Sequence, residues 1–365
     1  TRLKTPDPLA CIRRASVTVG AGGLIMKAAR RGTYGGTAAG GSGVSQGSGF
    51  EVAGSAALND LDYATRAYLE QVNLTLGGDS SISSRDGVAT IAFAGDGVFR
   101  GYAGFGTSWA WNQVDRQVHA MITDSVITQS AGTLSVDAVM WDVAKDDGQT
   151  LLPSAYAVAA TFGIGKQDGT LTELTGTVAV NEFNTATSDP AVQAVMSDST
   201  YRQPQGGASD TTGLSLTATD NTNLLALAGA VDADAVIQLG VAVAKNKLAN
   251  TTTAHIESST VEVNNGNVDV TAVINPELNA FALGVSVTNE TGAVFAGSGA
   301  SNVAPLTADA HVAGDVSQGV TGTTIEGASN ITVHAEINYT DVTAGAGMFG
   351  LQTKGGEGVG IGAAV

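Results

Sequence analysis

Histidines are the first residues in this 365-residue chain whose type suggests chemistry. His119, His255 and His311 each stand next to an alanine that recurs along the chain, and His334 lies in a second recurring pattern. Repetition in register is typical of a stack of similar coils. Because equivalent histidines would then lie at least two coils apart, we predict structural or solvated histidines, not a catalytic or metal-binding set.

Paired carboxylates are the second candidate for chemistry. Asp146 and Asp147 follow Lys145, and Asp232 is two residues from Asp234. If the second pair lies in a strand, both carboxylates point the same way and form a weak candidate calcium site. The alternative is that these acids solvate an outer face. The sequence predicts no catalytic residue, no enzyme activity and no cofactor beyond this calcium candidate.

Aromatic residues form one dense group in a chain that is only 5% aromatic. Its members could stack on sugar rings, or they could fill and cap the interior of the fold. The glycan-stacking candidates, which follow Phe99, are Tyr102, Phe105, Trp109 and Trp111.

Composition excludes several classes of protein. The 48 glycines show no strict period, so the chain is not collagen, and 43% hydrophobic residues argue against disorder. One cysteine, Cys11, cannot build a disulfide scaffold. No apolar run is long enough for a transmembrane helix. The net charge of −17 argues against nucleic acid as a partner.

Charge and glycine content divide the chain into three segments. Residues 1–34 hold seven basic groups and one acid, Asp7, so this basic segment could meet an acidic partner or could be an irregular start of the chain. Residues 35–49 are rich in glycine and serine and predict a linker. Residues 50–365 form the main domain, which is strongly acidic.

Three divergent patterns recur along the main domain. The first begins at an alanine, the second ends at one, and the third alternates small and apolar residues. The first begins at Ala120, Ala194 and Ala254, with weaker copies at Ala67 and Ala310; the second ends at Ala138, Ala218, Ala272 and Ala335, with a looser copy at 88–92; the third covers 155–159, 281–285 and 359–363.

These patterns favour an all-β fold. Alternation of period two predicts strands, and one stretch, 58–70, is also readable as a helix. The distance from the first alanine of a repeat to the second takes either a shorter value, as from Ala120 to Ala138, or a longer one, as from Ala194 to Ala218. We interpret this spacing as one short coil of a right-handed parallel β-helix with an optional loop. About five divergent repeats would then give roughly 14 coils and a rod about 65 Å long at the usual strand spacing.

Residues 193–365 resemble a known family of repeat proteins. The resemblance lies in three blocks, 240–247, 254–261 and 358–365. They are similar to the leukotoxin-like filamentous adhesins, which are β-helical passengers of type V secretion, either autotransporter or two-partner. The resemblance implies a secreted or bacterial cell-surface rod used in adhesion or matrix building. It supplies no catalytic residues, and residues 1–50 lie outside it.

We therefore expect a non-catalytic extracellular rod. Its partners would be glycans or proteins on a host or neighbouring cell, and no nucleic acid. The uncharged end, 360–365, predicts end-to-end self-association. The first alternative is a self-polymerising filament or sheath subunit, and the second is a β-helical polysaccharide lyase or hydrolase.

Overall fold

The structure is a computed structural model. The ranges it describes are 3–4, 7–43, 49–99, 103–140, 154–165, 172–185, 189–203, 212–288, 292–314, 322–352 and 357–364.

The protein is all-β, and its strands form three parallel sheets. Sheet I has eleven strands, sheet II has ten and sheet III has six within the described ranges. The chain passes through sheet I, then sheet III, then sheet II, and repeats this order. We call one such passage a circuit, and each circuit pairs in parallel with the one before it.

The strands of successive circuits have the following bounds. Circuit 1 contains β1 (Leu3–Lys4), β2 (Leu9–Arg13), β3 (Ser16–Thr18) and β4 (Ile25–Gly43); circuit 2 contains β5 (Phe50–Glu70), β6 (Asn73–Leu76) and β7 (Ser80–Phe99); circuit 3 contains β8 (Ala103–Thr123), β9 (Val126–Gln129), β10 (Leu134–Met140) and β11 (Ala155–Ile164). Circuit 4 contains β12 (Thr172–Phe183), β13 (Val192–Ser197), β14 (Thr200–Arg202), β15 (Thr212–Asp220) and β16 (Asn223–Ala233); circuit 5 contains β17 (Ile237–Leu248), β18 (Thr251–Glu257), β19 (Thr260–Glu262), β20 (Asn267–Ile274) and β21 (Glu277–Thr288). Circuit 6 contains β22 (Ala293–Val303), β23 (Thr307–Ala313), β24 (Thr324–Glu326), β25 (Asn330–Ile337) and β26 (Asp341–Gln352), and β27 (Glu357–Ala364) begins a seventh.

The recurring alanines of the first pattern are aligned in sheet I. In this column each alanine is the register partner of the next, in the order Ala67, Ala120, Ala194, Ala254 and Ala310. In sheet II the second pattern aligns Ala138, Ala218, Ala272 and Ala335. The repeat is therefore confirmed for these copies.

The predicted coil length is wrong. Phe50 pairs with Ala103, which pairs with Thr172, so one circuit is at least twice as long as the predicted coil. The spacing from Ala120 to Ala138 joins sheet I to sheet II, which are two sides of the same circuit. One repeat is thus one circuit, and the prediction of roughly 14 coils fails with it.

Other predictions from local sequence also need correction. Residues 58–70 are strand, because they continue β5. Residues 35–43 are strand and not linker, because they pair with β7 from Ile91 to Phe99. In the copy proposed at 88–92, Ala92 does not align with the other alanines of the second pattern, because the register partner of Ala138 in β7 is Ser84. The copy at 359–363 belongs to sheet I, while the other two copies of the third pattern lie in sheet II.

Two different interiors lie along each circuit. Where all three sheets meet, they enclose a core of large apolar side chains, which we call the prism. Where sheets I and II face each other directly, the buried apolar side chains are alanines, with buried polar side chains between them, and we call this part the slab. Representative prism residues are Leu74, Ile122, Ile127, Val136 and Leu216, and representative slab residues are Ala57, Ala110, Ala159, Ala228 and Ala244.

The slab needs small residues because its two sheets lie very close together. A Cβ added at Gly284 in sheet II would lie 2.4 Å from the carbonyl oxygen of Gly297 in sheet I. At positions of such close approach, a side chain larger than alanine would force the sheets apart. In register, alanine occupies every position of two columns: Ala57, Ala110, Ala179, Ala244 and Ala300 in sheet I, and Ala94, Ala159, Ala228 and Ala282 in sheet II.

A buried polar network lies between the prism and the slab. Arg116 is fully buried, and its Nη1 donates to Oδ2 of Asp86 at 3.2 Å while its Nη2 donates to Oγ1 of Thr222 at 2.9 Å. The Tyr63 hydroxyl donates to the same Asp86 oxygen at 3.1 Å. Burial raises the pKa of Asp86, and the charge of Arg116 opposes that rise. This network connects circuits 2, 3 and 4.

Candidate interaction surface

The outer face of the slab is apolar on sheet I. Strand alternation places alanine and small residues inside and larger apolar residues outside. Leu239 and Val243 in β17 are 36% and 38% exposed, and Trp109 in β8 is 46% exposed. The exposed members of this surface, which we call face I, are Phe50, Val52, Trp109, Ile237, Leu239, Val243 and Phe295.

The opposite face of the slab, on sheet II, is apolar as well. We call it face II, and its exposed members are Phe93, Phe99, Phe162, Ile164, Phe281, Leu283, Phe349 and Leu351. An open groove of about 600 Å³ crosses it, with Ala160 and Gly229 on its floor and Leu227 and Phe281 along its side. Because register partners share a column, the groove runs across the strands of several circuits.

Charged side chains begin where the slab approaches the prism. On β17, face I runs from Ile237 to Val243 and is followed by Lys245, whose Nζ lies 3.7 Å from Oε1 of Glu182. Six residue steps from 237 to 243 span about 20 Å at the usual strand rise. Contiguous apolar patches of several hundred Å² on a protein surface are typical of interaction sites.

Three of the predicted aromatic residues, Phe105, Trp109 and Trp111, lie on face I. Trp109 and Trp111 stack with ring centroids 5.8 Å apart and planes within 4°, and Phe105 stacks on Phe50 with centroids also 5.8 Å apart. Phe105 and Trp111 are half-buried on the same outward side as exposed Trp109. These three therefore do not fill the interior. Tyr102 lies outside the described residues.

Of the two predicted acidic sites, the structure describes only the one that contains Asp232 and Asp234. Asp146, Asp147 and Lys145 lie outside the described residues. β16 ends at Ala233, and Asp234 has a left-handed backbone with φ of 64°. The strand alternation that would point both carboxylates the same way therefore ends before Asp234. The Asp232 side chain is fully buried inside the slab, where Glu173 of sheet I is also buried.

Burial raises the pKa of both carboxyls. Burial and the nearby charge of Asp232 raise the pKa of Glu173 to about 9. Burial likewise raises the pKa of Asp232 to about 8, against a smaller lowering by Thr175. Among the residues that the structure describes, no three His, Cys, Asp or Glu side chains are grouped in a way that could hold a metal ion.

The histidines are arranged differently from the prediction. His255 and His311 are register partners in adjacent circuits, and their rings stack with centroids 4.8 Å apart, so equivalent histidines are not two coils apart. His119 is two positions away from their column, with its Nε2 3.0 Å from the Pro190 carbonyl oxygen, and burial lowers its pKa. His334 is exposed beside Glu336.

Sequence reasoning missed a ladder of buried asparagines inside the slab. Asn59, Asn112, Asn181, Asn246 and Asn302 are successive register partners. The Nδ2 of each of the first four donates to the Oδ1 of the next residue at 2.7–2.9 Å. Each also donates to a backbone carbonyl of sheet II, such as Asn112 to Tyr156 at 3.0 Å. The ladder joins both the circuits and the two sheets.

The comparisons with known proteins give no relative: no family model, no curated protein and no solved structure matches the chain. Within the ranges described above, no helix is long and apolar enough to cross a membrane.

Proposed function

We propose that this protein is a right-handed parallel β-solenoid of the extracellular space or bacterial cell surface, and that it mediates adhesion or builds a matrix without catalysis. The observation that carries the proposal is the pair of apolar faces on the slab. Burial of apolar surface is the main driving force of protein association, and such faces are unusual on an isolated soluble chain.

Parallel pairing of successive circuits supports the solenoid. Crossovers between parallel strands of one sheet are almost always right-handed, because right-twisted strands pack back onto the sheet in that way. The asparagine ladder and the alanine columns supply the regular interior that stacked coils require. The resemblance of residues 193–365 to type V-secreted adhesins agrees with a secreted rod.

A second observation favours the alternative of a filament or sheath subunit. Faces I and II lie on opposite sides of the slab, so one copy could use face I against face II of the next. A contact of this kind is heterologous and propagates. In this proposal copies associate side by side through the slab, and end-to-end stacking of circuits is a second route.

Glycan recognition would use the aromatic part of face I. Trp109 and Trp111 present indole rings beside Phe105, and sugar rings stack on such apolar ring faces. We expect Trp109→Ala with Trp111→Ala to reduce retention on glycan-coated surfaces. Phe281→Ala on face II is the matched control, and equal loss in both would contradict a glycan site on face I.

Sedimentation velocity tests the association itself. We expect the wild-type chain to form larger species as concentration rises, and Leu239→Glu on face I or Phe281→Glu on face II to shift it towards monomer. Val126→Glu is the control, because Val126 is exposed on sheet III, outside the slab. Circular dichroism checks that each variant folds. A wild-type chain that stays monomeric and binds no surface would overturn the proposal.

A further inference from the structure

Several buried oxygen atoms inside the slab have no hydrogen-bond partner. Asp232 is fully buried, and neither of its carboxylate oxygens has a hydrogen-bond partner in good geometry, although Thr175 and Leu239 lie near enough to lower its pKa. Glu173 is 1% exposed, and its Oε2 has no hydrogen-bond partner either. The same holds for Oε1 of Gln238 and Oγ1 of Thr175. Buried polar atoms in folded proteins are nearly always paired, so four such side chains together indicate a missing partner.

The strand register brings these side chains together. Glu173 and Gln238 are register partners in sheet I, and Thr175 is two residues from Glu173 on the same side of β12. Asp232 faces them from sheet II beside its own partner, Gly163. A Cβ added at Gly163 would lie 2.5 Å from Oε1 of Glu173 and 2.6 Å from Oδ1 of Asp232. Two carboxylates thus converge on the space that this glycine leaves open.

The missing partner must offer positive charge or hydrogen-bond donors, because the unpaired atoms are mainly acceptors. The orientation of Gln238 strengthens this point. Its Nε2 donates to the carbonyl oxygen of Val287 at 3.0 Å, which leaves its amide oxygen as the unpaired end. A carboxylate pair and an amide oxygen are hard ligands of the type that Ca²⁺ prefers, at roughly 2.3–2.6 Å and in irregular geometry.

We propose that Glu173 and Asp232 bind a divalent cation of the Ca²⁺ type inside the slab, with the oxygens of Gln238 and Thr175 as further ligands. Two carboxylates and one divalent cation sum to zero charge, which removes the cost of burying either carboxylate alone. The cation would lie farther from the glycine backbone than the Cβ position at Gly163. Asp234 and Glu51 add negative potential around Glu173.

This site differs from the pairing of Asp232 with Asp234 that the sequence predicted. It joins sheet I to sheet II, so its occupation would fasten the two sheets of the slab. It is independent of the proposed adhesive role, because faces I and II lie on the outside of the same sheets.

The test uses the full chain, unfolded and refolded in EDTA and then again in CaCl₂, so that a closed slab cannot exclude the ion. We expect one tightly bound Ca²⁺ per chain by elemental analysis and a higher melting temperature in CaCl₂ than in MgCl₂ or NaCl. Glu173→Gln and Asp232→Asn are expected to weaken Ca²⁺ affinity by about tenfold or more. Asp269→Asn, an outward position of β20, is the charge-matched control and should bind as wild type.

Gly163→Ala provides a test that leaves every charge in place. Its methyl group would occupy the space between the two carboxylates and should abolish the calcium-dependent rise in melting temperature. Absence of bound Ca²⁺ in the refolded wild-type chain would overturn the proposal. Bound protons would then neutralise the two carboxyls in place of a cation. Full binding by Asp232→Asn would also overturn the proposal.

Discussion

The side-chain amide of Asn112 donates a hydrogen bond to Oδ1 of Asn181 over 2.8 Å, across the junction between circuits 3 and 4. Asn181 repeats the same contact with Asn246, and both amides also bond to backbone carbonyls of the facing sheet. A chain of hydrogen-bonded amides stabilises the fold more than the sum of its separate hydrogen bonds, because each bond polarises the next. The ladder therefore helps to fix the register of the circuits inside a slab whose apolar side chains are too small to do so.

Replacing a central member of this ladder should cost more than replacing its last described member. Asn181→Ala removes the acceptor of one Asn112 amide N–H, the donor to the Asn246 amide oxygen and the side-chain donor to the Leu225 carbonyl. At about 1–3 kcal/mol for each unsatisfied buried group, the expected loss of unfolding free energy is several kcal/mol. Asn302→Ala, at the end of the ladder, breaks one ladder contact and the bonds to the Leu278 and Thr343 carbonyls, but Asn302 is only half-buried, so water can replace these bonds and the loss should be smaller. Equal losses in chemical denaturation would contradict the cooperative ladder.

The buried ion pair should be far more sensitive than an exposed one. Arg116→Met leaves Asp86 buried with the Tyr63 hydroxyl as its hydrogen-bond donor and Arg30 as the nearby positive charge, and loss of one partner of a buried ion pair costs about 3–5 kcal/mol of unfolding free energy. The double variant Arg116→Met with Asp86→Leu should recover part of that loss, because it removes the unpaired charge. Arg13→Met, which breaks the 2.6 Å contact with Glu70 on the surface, is the control and should change the denaturation midpoint very little. No recovery in the double variant would contradict the account.

In the metal-free chain, the unfolding free energy should fall as pH rises. The pKa of Glu173 is raised to about 9 and that of Asp232 to about 8, so between roughly pH 4 and these values the folded state binds more protons than the unfolded state. Each carboxyl then contributes a decline of up to about 1.4 kcal/mol per pH unit in that window. This contribution to stability is fully present below the pKa values of the unfolded chain, near pH 4. It declines as pH rises and is completely lost once pH has passed about 8 for Asp232 and about 9 for Glu173.

Denaturation of the chain in EDTA between pH 5 and pH 9 measures this slope. Glu173→Gln combined with Asp232→Asn should flatten it, while Asp269→Asn should keep it. A slope unchanged in the double variant would place the titrating groups elsewhere.

The sequence predicts the repeat well where side chains align in one column. Ala120, Ala194 and Ala254 are recognisable because stacked circuits place like residues in register. Coil length is not predictable in the same way, because two strands of one circuit and two strands of adjacent circuits give similar local patterns. Only pairing distinguishes the short step from Ala120 to Ala138, within one circuit, from the longer step that joins Ala120 to its register partner Ala194.

The asparagine ladder carries a signal in the sequence that could have revealed it. Asn59, Asn112, Asn246 and Asn302 each precede the recurring alanine of their own circuit by the same interval, and Asn181 precedes Ala194 by a longer one. Alignment of the repeats on that alanine would have shown the column. By contrast, the contact of Asp232 with the side chains around Glu173 depends on how closely sheets I and II approach, which no pattern within a single strand contains.

Site-specific cross-linking tests the central claim that copies meet through the slab. In a chain carrying Cys11→Ser, Val243→Cys on face I and Leu283→Cys on face II would be introduced together, and Val126→Cys with Thr332→Cys would serve as exposed outward positions outside the slab. Under mild oxidation we predict disulfide-linked oligomers from the slab pair and monomers from the control pair. Monomers from the slab pair, or equal cross-linking from both, would contradict the claim.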